Sequence, residues 1–268
     1  MKPIKVLTIA GSDSGGGAGI QADLKTFQEL EVFGMSAITA ITAQNTLGLQ
    51  GVYPSSLEAV ANQIDSIGTD IGADAIKTGM LFNSEMIGLV CEKIKQYQWD
   101  NVVVDPVMIA KGGASLLQEE AVKTMREQLI PLSKVITPNM PEAAALTGIT
   151  IQSLEDRKEA AKMLHDLGAR NVVIKGGHEI NSDEVIDLLY DGTEFTMYQS
   201  RRIHTNNTHG TGCTFAAAVA SELAKGVEIK VAVRNAKKFV HISIEHAMQI
   251  GSGHGPLNHA AHRTVGEQ

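Results

Sequence analysis

Residues 207–215, Asn-Thr-His-Gly-Thr-Gly-Cys-Thr-Phe, run directly into an apolar segment, Ala216–Ala224. The apolar segment predicts a buried helix, and the two glycines before it let a ligand approach the backbone closely. Because a helix N-terminus offers unpaired N–H groups and the positive end of a dipole, the sequence predicts an anion site here. Cys213 falls in the first turn, where we expect the dipole to lower the pKa of its thiol and prepare it to accept a proton. The competing interpretation is an ordinary turn followed by a small packed cysteine.

The rest of the chain alternates short β-branched runs with amphipathic helical patterns. This alternation predicts an α/β fold, a mostly parallel sheet between helices, with ligands at the carboxyl ends of the strands. The length of 268 residues suits a single domain over residues 1–268. Asp191-Gly192 suits a tight turn and predicts a hairpin of residues 185–190 and 194–198. The other predicted strands are 6–9, 36–41, 75–78, 102–104, 135–137 and 171–174, and the predicted helices are 18–31, 57–68, 84–97, 117–129, 141–146, 154–167, 213–225 and 228–248.

Composition and charge narrow the class of protein. A net charge of −7 disfavours nonspecific nucleic-acid binding, so small molecules are the expected partners. No apolar run reaches the roughly 20 residues of a membrane helix, and the N-terminus has no signal-peptide pattern, so we expect a cytoplasmic protein without a membrane partner. The two cysteines, Cys91 and Cys213, lie far apart and predict neither a disulfide nor a zinc site. The loop at 251–256 and the histidines of the tail are expected at the surface.

A glycine-rich loop, residues 10–19, follows the first predicted strand and opens a helix. It has no Gly-Lys-Ser/Thr, so it is not a Walker A loop. Gly17-x-Gly19-x-x-Ala22 fits a dinucleotide fingerprint only in part, because it starts several residues past the strand and the second strand ends in Thr-Ala-Gln without an acid. A nicotinamide enzyme is therefore disfavoured. Asp23, about one turn inside the helix, is either a surface acid favoured by the helix dipole or an acceptor for a substrate.

Polar side chains follow three of the predicted strands. Asp105 comes directly after residues 102–104 and before a proline, where a carboxylate can meet Mg²⁺. Asn139 and Glu142, with Pro141 between them, suit either a capped helix start or two ligands of a hydrated cation. Lys175 ends the strand at 171–174, and it is either a phosphate contact or a surface lysine.

Five motifs in order carry a resemblance to a known family. They are the Gly-Ser-Asp loop with its Gly-Gly-Ala-Gly end at 11–19, Asp-Pro-Val-Met at 105–108, Thr-Pro-Asn-x-x-Glu at 137–142, Ile-Lys-Gly-Gly-His at 174–178 and Thr-His-Gly-Thr-Gly-Cys-Thr at 208–214. The chain resembles the ribokinase superfamily and, within it, the hydroxymethylpyrimidine kinase/phosphomethylpyrimidine kinase family of thiamin biosynthesis. The resemblance implies a ribokinase-like three-layer α/β/α sandwich without the lid sheet of the sugar kinases. It also implies that MgATP phosphorylates a hydroxymethylpyrimidine and then its monophosphate.

The resemblance also assigns residues to roles. Gln44 additionally offers an adjacent donor and acceptor that suit a 4-aminopyrimidine edge. Cys213 stands where many superfamily members have an aspartate as base. Lys237 could equally be a solvated helix residue, and Met80 and Val107 could equally be core residues. The implied sets are an anion hole of Gly210, Thr211, Gly212 and Cys213; Mg²⁺ held through water by Asp105, Asn139 and Glu142; nucleotide contacts from Lys175, Thr208 and Lys237; and a substrate pocket of Asp23, Gln44, Gly11, Ala18, Met80 and Val107.

Two alternatives stay open. A pyridoxine or pyridoxal kinase of the same cysteine-containing branch takes a similar small ring with a hydroxymethyl group. A noncatalytic nucleotide sensor on the same fold is the second, because fold does not determine activity. The resemblance further implies a homodimer.

Overall fold

The computed structural model describes residues 3–108, 119–178 and 182–266. Through these residues runs one nine-stranded sheet. Its strands are β1 Lys5–Asp13, β2 Phe33–Asn45, β3 Gly48–Pro54, β4 Ala75–Thr78, β5 Val102–Val104, β6 Val135–Ile136, β7 Val172–Ile174, β8 Glu184–Tyr190 and β9 Phe195–Arg201. The spatial order is β3-β2-β1-β4-β5-β6-β7-β8-β9. Strands β2, β1, β4, β5, β6 and β7 are parallel, and β3, β8 and β9 add antiparallel edges.

Helices cover both faces of this sheet. They are α1 Gly19–Glu29, α2 Leu57–Ser66, α3 Ser84–Gln96, α4 Glu119–Thr124, α5 Met140–Thr147, α6 Leu154–Asp166, α7 Thr211–Ala224, α8 Ile229–Glu245 and α9 Ala261–Gly266. Two of them, α2 and α4, continue as π-helical turns over Ile67–Ile71 and Met125–Leu129. Within the described ranges no helix combines the length and apolarity needed to cross a bilayer.

Two hydrophobic cores result from the alternation of side chains along the strands. In β5, Val102 and Val104 face the core packed by α2, α3 and α6, whereas Val103 faces the core packed by α1, α7 and α8. All three valines are fully buried, as a parallel strand covered on both faces requires. This helix–sheet–helix layering confirms the predicted three-layer α/β fold.

The structure differs from the sequence prediction mainly at the periphery. Strand β3 was not predicted, because Gly48, Gly51 and Pro54 weaken a strand pattern and its residues are largely exposed. Helix α9 was not predicted either, and residues 117 and 118 of the predicted helix 117–129 lie outside the described ranges. The expectation of surface histidines in the tail is wrong for His259, which is buried and lies 2.9 Å from the hydroxyl of Thr214.

The parallel strands bring their carboxyl ends to one edge of the sheet, and α7 begins at that edge. Helix α7 packs against β1, β4 and β5, so its N-terminus lies beside the residues that follow those strands. The five predicted motifs, far apart in sequence, therefore meet at one place.

Candidate active site

A cleft of ≈ 470 Å³ opens at the carboxyl ends of the parallel strands. Side chains and backbone from the glycine-rich loop, the ends of five further strands and the start of α7 form its walls. Of the predicted site residues, those that line the cleft are Gly11, Ala18, Gln44, Met80, Asp105, Val107, Asn139, Glu142, Lys175, Thr208, Gly210, Thr211, Gly212 and Cys213. The two predicted residues that do not line it are Asp23 and Lys237.

The N-terminus of α7 forms the anion end of the cleft. Gly210 is its N-cap with φ 86°, and a Cβ there would lie 1.8 Å from the carbonyl oxygen of Gly17. Glycine at this position therefore lets the glycine-rich loop touch the helix start. A Cβ on Gly212 would lie 3.1 Å from Nζ of Lys175, so this glycine keeps the space between the helix turn and the lysine open. The first-turn N–H groups of a helix have no intrahelical acceptors, so they are available to bind an anion in this space.

Cys213 lies in the first turn as predicted, but its protonation differs from the expectation. Burial raises the pKa of the thiol to about 11, a shift that the Lys77 ammonium opposes and that the carboxylates of Asp23 and Asp105 increase. The prediction of a lowered pKa is wrong because desolvation of the thiol outweighs Lys77 and the Gly19 backbone hydrogen bond, which favour the thiolate, although the residue as a whole is only half-buried. At neutral pH the ligand-free protein therefore carries Cys213 as a thiol.

Beneath the cleft lies a buried ion pair between helix α1 and strand β4. Lys77 Nζ is 2.9 Å from Asp23 Oδ2, and neither side chain has exposed surface. The Thr8 hydroxyl donates to the same carboxylate oxygen at 2.6 Å. Asp23 is therefore not a surface acid. It does not line the cleft, but its Oδ1 has no hydrogen-bond partner among the described residues, so its contact with a substrate stays a prediction.

The charge state of this pair depends on mutual stabilisation. Burial raises the pKa of Asp23, while Lys77 and Thr8 favour its ionised form. Burial alone lowers the pKa of Lys77, but Asp23, Cys213 and Asp105 outweigh it, so the pKa lies above its usual range. Lys77 therefore stays charged beside Cys213. Sequence reasoning missed Lys77, although a lysine inside an otherwise apolar buried strand was a usable signal.

A second lysine–aspartate pair faces the cleft. Lys175 Nζ lies 3.0 Å from Asp105 Oδ1, and the lysine side chain keeps 14% of its surface exposed. Burial lowers the pKa of Lys175, but Asp105 and Glu142 raise the pKa by more than burial lowers it, so the net shift is upward. Burial raises the pKa of Glu142 to about 7, with Asp105 adding to the shift and Lys175 opposing it. The lysine thus balances two carboxylates that share one wall.

The structure confirms the helix-capping interpretation of Asn139 and Glu142, and their role as ligands of a cation stays a prediction. Asn139 Oδ1 accepts from the Glu142 N–H at 2.9 Å, and Glu142 Oε2 accepts from the Asn139 N–H at 2.8 Å. This capping box starts α5, and both side chains also line the cleft. No group of three or more His, Cys, Asp or Glu residues arranged to hold a metal occurs in the described part of the chain. A cation at this wall would therefore rely on few protein ligands, as hydrated Mg²⁺ does.

A second cavity of ≈ 340 Å³ adjoins the cleft and shares Lys175, Thr208 and Gly212 with it. Helix α8 and the β8–β9 hairpin form its far walls, including the apolar side chains of Val240 and Ile244. Lys237 lines this cavity and is buried, so its reading as a solvated helix residue is wrong. Its Nζ lies 2.8 Å from Asp187 Oδ2 and 3.0 Å from the Val185 carbonyl oxygen.

An ion pair between Asp13 and His209 joins the glycine-rich loop to the segment before α7. His209 Nε2 lies 2.8 Å from Asp13 Oδ2, and the same oxygen accepts from the N–H groups of Gly17 and Ala18. Both side chains are almost fully buried. Both residues lie within the sequence motifs, but no role could be predicted for either of them, because they are 196 positions apart in the chain.

Comparisons with known proteins agree with this geometry. The model of the phosphomethylpyrimidine kinase family matches residues 13–258. A hydroxymethylpyrimidine/phosphomethylpyrimidine kinase of Bacillus subtilis is 58% identical over 261 residues, which are 97% of this chain and 96% of that protein. The thiamine biosynthesis bifunctional protein ThiED of Geobacter sulfurreducens is 52% identical over 254 residues, which are 95% of this chain and 52% of that longer protein. An ADP complex of Bacillus subtilis pyridoxal kinase superposes with a TM-score of 0.92 at 47% identity, covering 98% of this chain and 99% of that one.

Proposed function

Because the chain belongs to the phosphomethylpyrimidine kinase family of ATP-dependent small-molecule kinases, we propose that it phosphorylates 4-amino-5-hydroxymethyl-2-methylpyrimidine and then the resulting monophosphate, in thiamin biosynthesis. The observation that carries the proposal is the meeting of the α7 N-terminus with Lys175, Asp105 and Glu142 around one cleft. This arrangement supplies cationic and N–H groups for a phosphoryl group and carboxylates for a cation. A noncatalytic sensor needs no such set.

The second cavity is the proposed place for the nucleoside of ATP. Its apolar walls suit a planar base, and Lys175 and Thr208, which belong to both cavities, would meet the phosphates. The related pyridoxal kinase was solved with ADP. Lys237 is included in this proposal through its position on the wall, with Asp187 as its charge partner.

The carboxylates of Asp105 and Glu142, with the amide of Asn139, form the proposed Mg²⁺ site, with water between metal and protein. Few oxygen ligands together with phosphates are what Mg²⁺ usually accepts. The ion supplies charge neutralisation to the phosphates. Burial is the main cause of the raised pKa of Glu142, about 7, so the carboxyl group gains most from a cation that replaces its lost hydration.

Phosphoryl transfer forms a bond between the substrate oxygen and the γ-phosphorus and breaks the bond to the ADP oxygen. The transition state is loose, so positioning and charge stabilisation matter more than a strong base. We assign the γ-phosphoryl group to the N–H groups of residues 210–213 and to Lys175. Cys213, a thiol in the ligand-free protein, would orient the substrate hydroxyl and take its proton late in the transfer. Lys77 favours that step, because its ammonium stabilises a thiolate.

Substrate recognition is assigned to the opposite wall of the cleft. Gln44 offers a donor and an acceptor to the aminopyrimidine edge. The remaining wall residues, which pack against the ring or let it approach the backbone, are Gly11, Ala18, Met80 and Val107.

The decisive test is the stoichiometry of ADP formed per pyrimidine with purified protein, ATP and Mg²⁺. We expect two equivalents of ADP with hydroxymethylpyrimidine, one with its monophosphate, and none when Mg²⁺ is omitted. The second candidate function, pyridoxal kinase, is favoured by the 47% identical relative of that name. A single equivalent together with a higher kcat/KM for pyridoxal would replace our proposal with that candidate.

Assembly, domain organisation and location complete the proposal. We expect a homodimer, since Ile41 and Tyr53, paired on neighbouring strands β2 and β3, are 57% and 63% exposed. Sedimentation equilibrium on the wild type and on Ile41→Lys would show a dimer that the substitution weakens.

We also expect one domain over residues 1–268, visible as a single unfolding transition. A cytoplasmic location suits two free cysteines and a supply of ATP.

A further inference from the structure

The side-chain amide of Gln44 lies between two polar side chains at the wall of the cleft. Its Nε2 is 3.4 Å from His209 Nε2, and its Oε1 is 3.4 Å from Thr42 Oγ1. Each neighbour is also committed to a shorter hydrogen bond with another group. Those shorter bonds decide whether each neighbour can donate a hydrogen bond to the amide or accept one from it.

On one side, the Asp13 carboxylate determines where His209 carries its proton. Burial raises the pKa of Asp13, but bonds from His209 and from the Ala18 and Gly15 N–H groups outweigh it and hold the pKa below its usual value. An ionised carboxylate can only accept, so the 2.8 Å contact requires hydrogen on Nε2 of His209. A ring nitrogen that carries hydrogen cannot accept from Nε2 of Gln44. Because Asp13 already accepts that hydrogen, the ring offers Oε1 only the longer branch of a three-centre hydrogen bond.

On the other side, Thr42 has already used its only hydrogen. Its hydroxyl donates to the Ser12 carbonyl oxygen at 2.8 Å. A hydroxyl has one hydrogen and two lone pairs, so towards Gln44 it can only accept. The partner it needs is the Nε2 end of the amide.

Both contacts become favourable when the amide makes a half-turn about its last side-chain bond. We propose that His209, held by Asp13, and Thr42, held by Ser12, are positioning residues that fix the Gln44 amide with Oε1 towards His209 and Nε2 towards Thr42. This deepens the proposed function and rests on it, because the amide orientation matters only if Gln44 reads the substrate ring.

The fixed orientation matches the order of groups around an aminopyrimidine. His209 directly precedes Gly210, so the acceptor end of Gln44 lies on the side of the anion hole. In the substrate, the amino group sits on the ring carbon beside the hydroxymethyl-bearing carbon, and the ring nitrogen comes one position further. With the hydroxymethyl group at Cys213, the amino group meets Oε1 and the ring nitrogen meets Nε2. A 4-oxo ring offers the reverse pattern, an acceptor followed by a donor.

The test compares two substrates, hydroxymethylpyrimidine and its 4-oxo analogue, by the ratio of their kcat/KM values. In the wild type we expect a strong preference for the amino compound. His209→Phe and Thr42→Val each release one end of the amide, so we expect the ratio to fall about tenfold, the loss of one oriented hydrogen bond. Thr42→Ser keeps the hydroxyl and should keep the ratio. His254→Asn changes an exposed histidine of the 251–256 loop and is the matched control.

Three outcomes separate this inference from the function on which it rests. Ratios unchanged in both His209→Phe and Thr42→Val, with a ratio lost in Gln44→Leu, overturn the positioning role and leave the pyrimidine kinase intact. A ratio unchanged in Gln44→Leu overturns both the positioning role and the assignment of Gln44 to the ring, while the pyrimidine kinase proposal is decided separately by the stoichiometry of ADP. Neutron diffraction on the wild type needs no variant to fold: deuterium on the amide end facing Thr42 supports the orientation, and deuterium on the end facing His209 overturns it.

Discussion

Two lysine–aspartate pairs of nearly equal length lie close together, yet their surroundings differ. Lys77–Asp23 spans 2.9 Å with no exposed surface on either side chain, whereas Lys175–Asp105 spans 3.0 Å and its lysine keeps 14% exposed. Lys77 of the first pair lies at the floor of the cleft with its side chain covered and Asp23 behind it, whereas both members of the second pair line the cleft. The same chemistry therefore has different uses: the closed pair holds charge beside Cys213, and the open pair can exchange its partner for a phosphate.

The largest effect should come from breaking the closed pair. Lys77→Met leaves Asp23 buried without its cation, so we expect a loss of about 3–5 kcal/mol in the free energy of unfolding, measured by urea denaturation. The double variant Lys77→Met/Asp23→Leu removes both charges and should recover most of that loss. A single variant as stable as the wild type would show that Asp23 is neutral in the folded protein.

The open pair should affect catalysis rather than folding. Lys175→Met removes a cation from the transferring phosphoryl group, and we expect kcat to fall about 10²–10³-fold. The melting temperature should fall less than in Lys77→Met, because Asp105 and Glu142 line the cleft, where a cation or a proton can replace the lysine. Lys175→Arg is the control that keeps the charge and should retain more activity. If Lys175→Met reduced stability as much as Lys77→Met does, the proposed division between the pairs would fail.

Thiol reactivity measures the influence of the closed pair on Cys213. Alkylation by iodoacetamide follows the thiolate fraction, which a pKa of about 11 keeps small at pH 8. Lys77→Met removes the opposing cation and should slow alkylation about tenfold for each unit of pKa. Asp23→Asn removes a carboxylate that raises the pKa and should accelerate it.

Opposite signs in those two variants distinguish electrostatics from damage, since partial unfolding exposes the thiol and accelerates both reactions. The chain contains one other cysteine, Cys91, and peptide mapping separates the two sites. Burial raises the pKa of Cys91 to about 12, so it serves as the internal reference.

The smallest effect concerns the third carboxylate at the open pair, Glu142. Its pKa in the folded protein, about 7, lies above the ordinary value of 4.5, so folding favours the protonated form. That stability is complete below pH 4.5 and is lost as the pH rises through 7. Glu142→Gln stays neutral and can keep the capping box. Its melting temperature should equal that of the wild type at low pH and exceed it by about 2–4 °C at pH 8 without ligands.

An unchanged difference between pH 5 and pH 8 would contradict a titrating Glu142. Excess Mg²⁺ and ATP should reverse the ranking at pH 8, because binding to the carboxylate stabilises only the wild type.

The two pairs also show how far sequence reasoning reaches. Asp105, Glu142 and Lys175 were predicted to lie together, because each follows a strand of a parallel sheet and such strand ends share one edge. The closed pair joins residues 54 positions apart, one inside a helix and one inside a strand, and no local pattern connects them. The ion-pair partner of Asp23 could therefore not be predicted from the sequence.

Burial explains the other differences. The first turn of α7 could be predicted from two glycines and an apolar run. The desolvation of the Cys213 thiol could not, so the pKa of the thiol was predicted in the wrong direction. His259 was expected at the surface, whereas packing against Thr214 buries it and lowers its pKa to about 4. The fold could be predicted from the spacing of apolar residues along the chain. The protonation of buried side chains could not, because it depends on contacts between residues far apart in sequence.

The most direct measurement is a crystal structure with Mg²⁺, a nonhydrolysable ATP analogue and hydroxymethylpyrimidine. We predict the γ-phosphate against the N–H groups of residues 211–213 with Lys175 turned towards it, the hydroxymethyl group beside Cys213, and Lys77 still bound to Asp23. A γ-phosphate held away from the α7 N-terminus, or one contacted by Lys77 in place of Lys175, would contradict the assigned site.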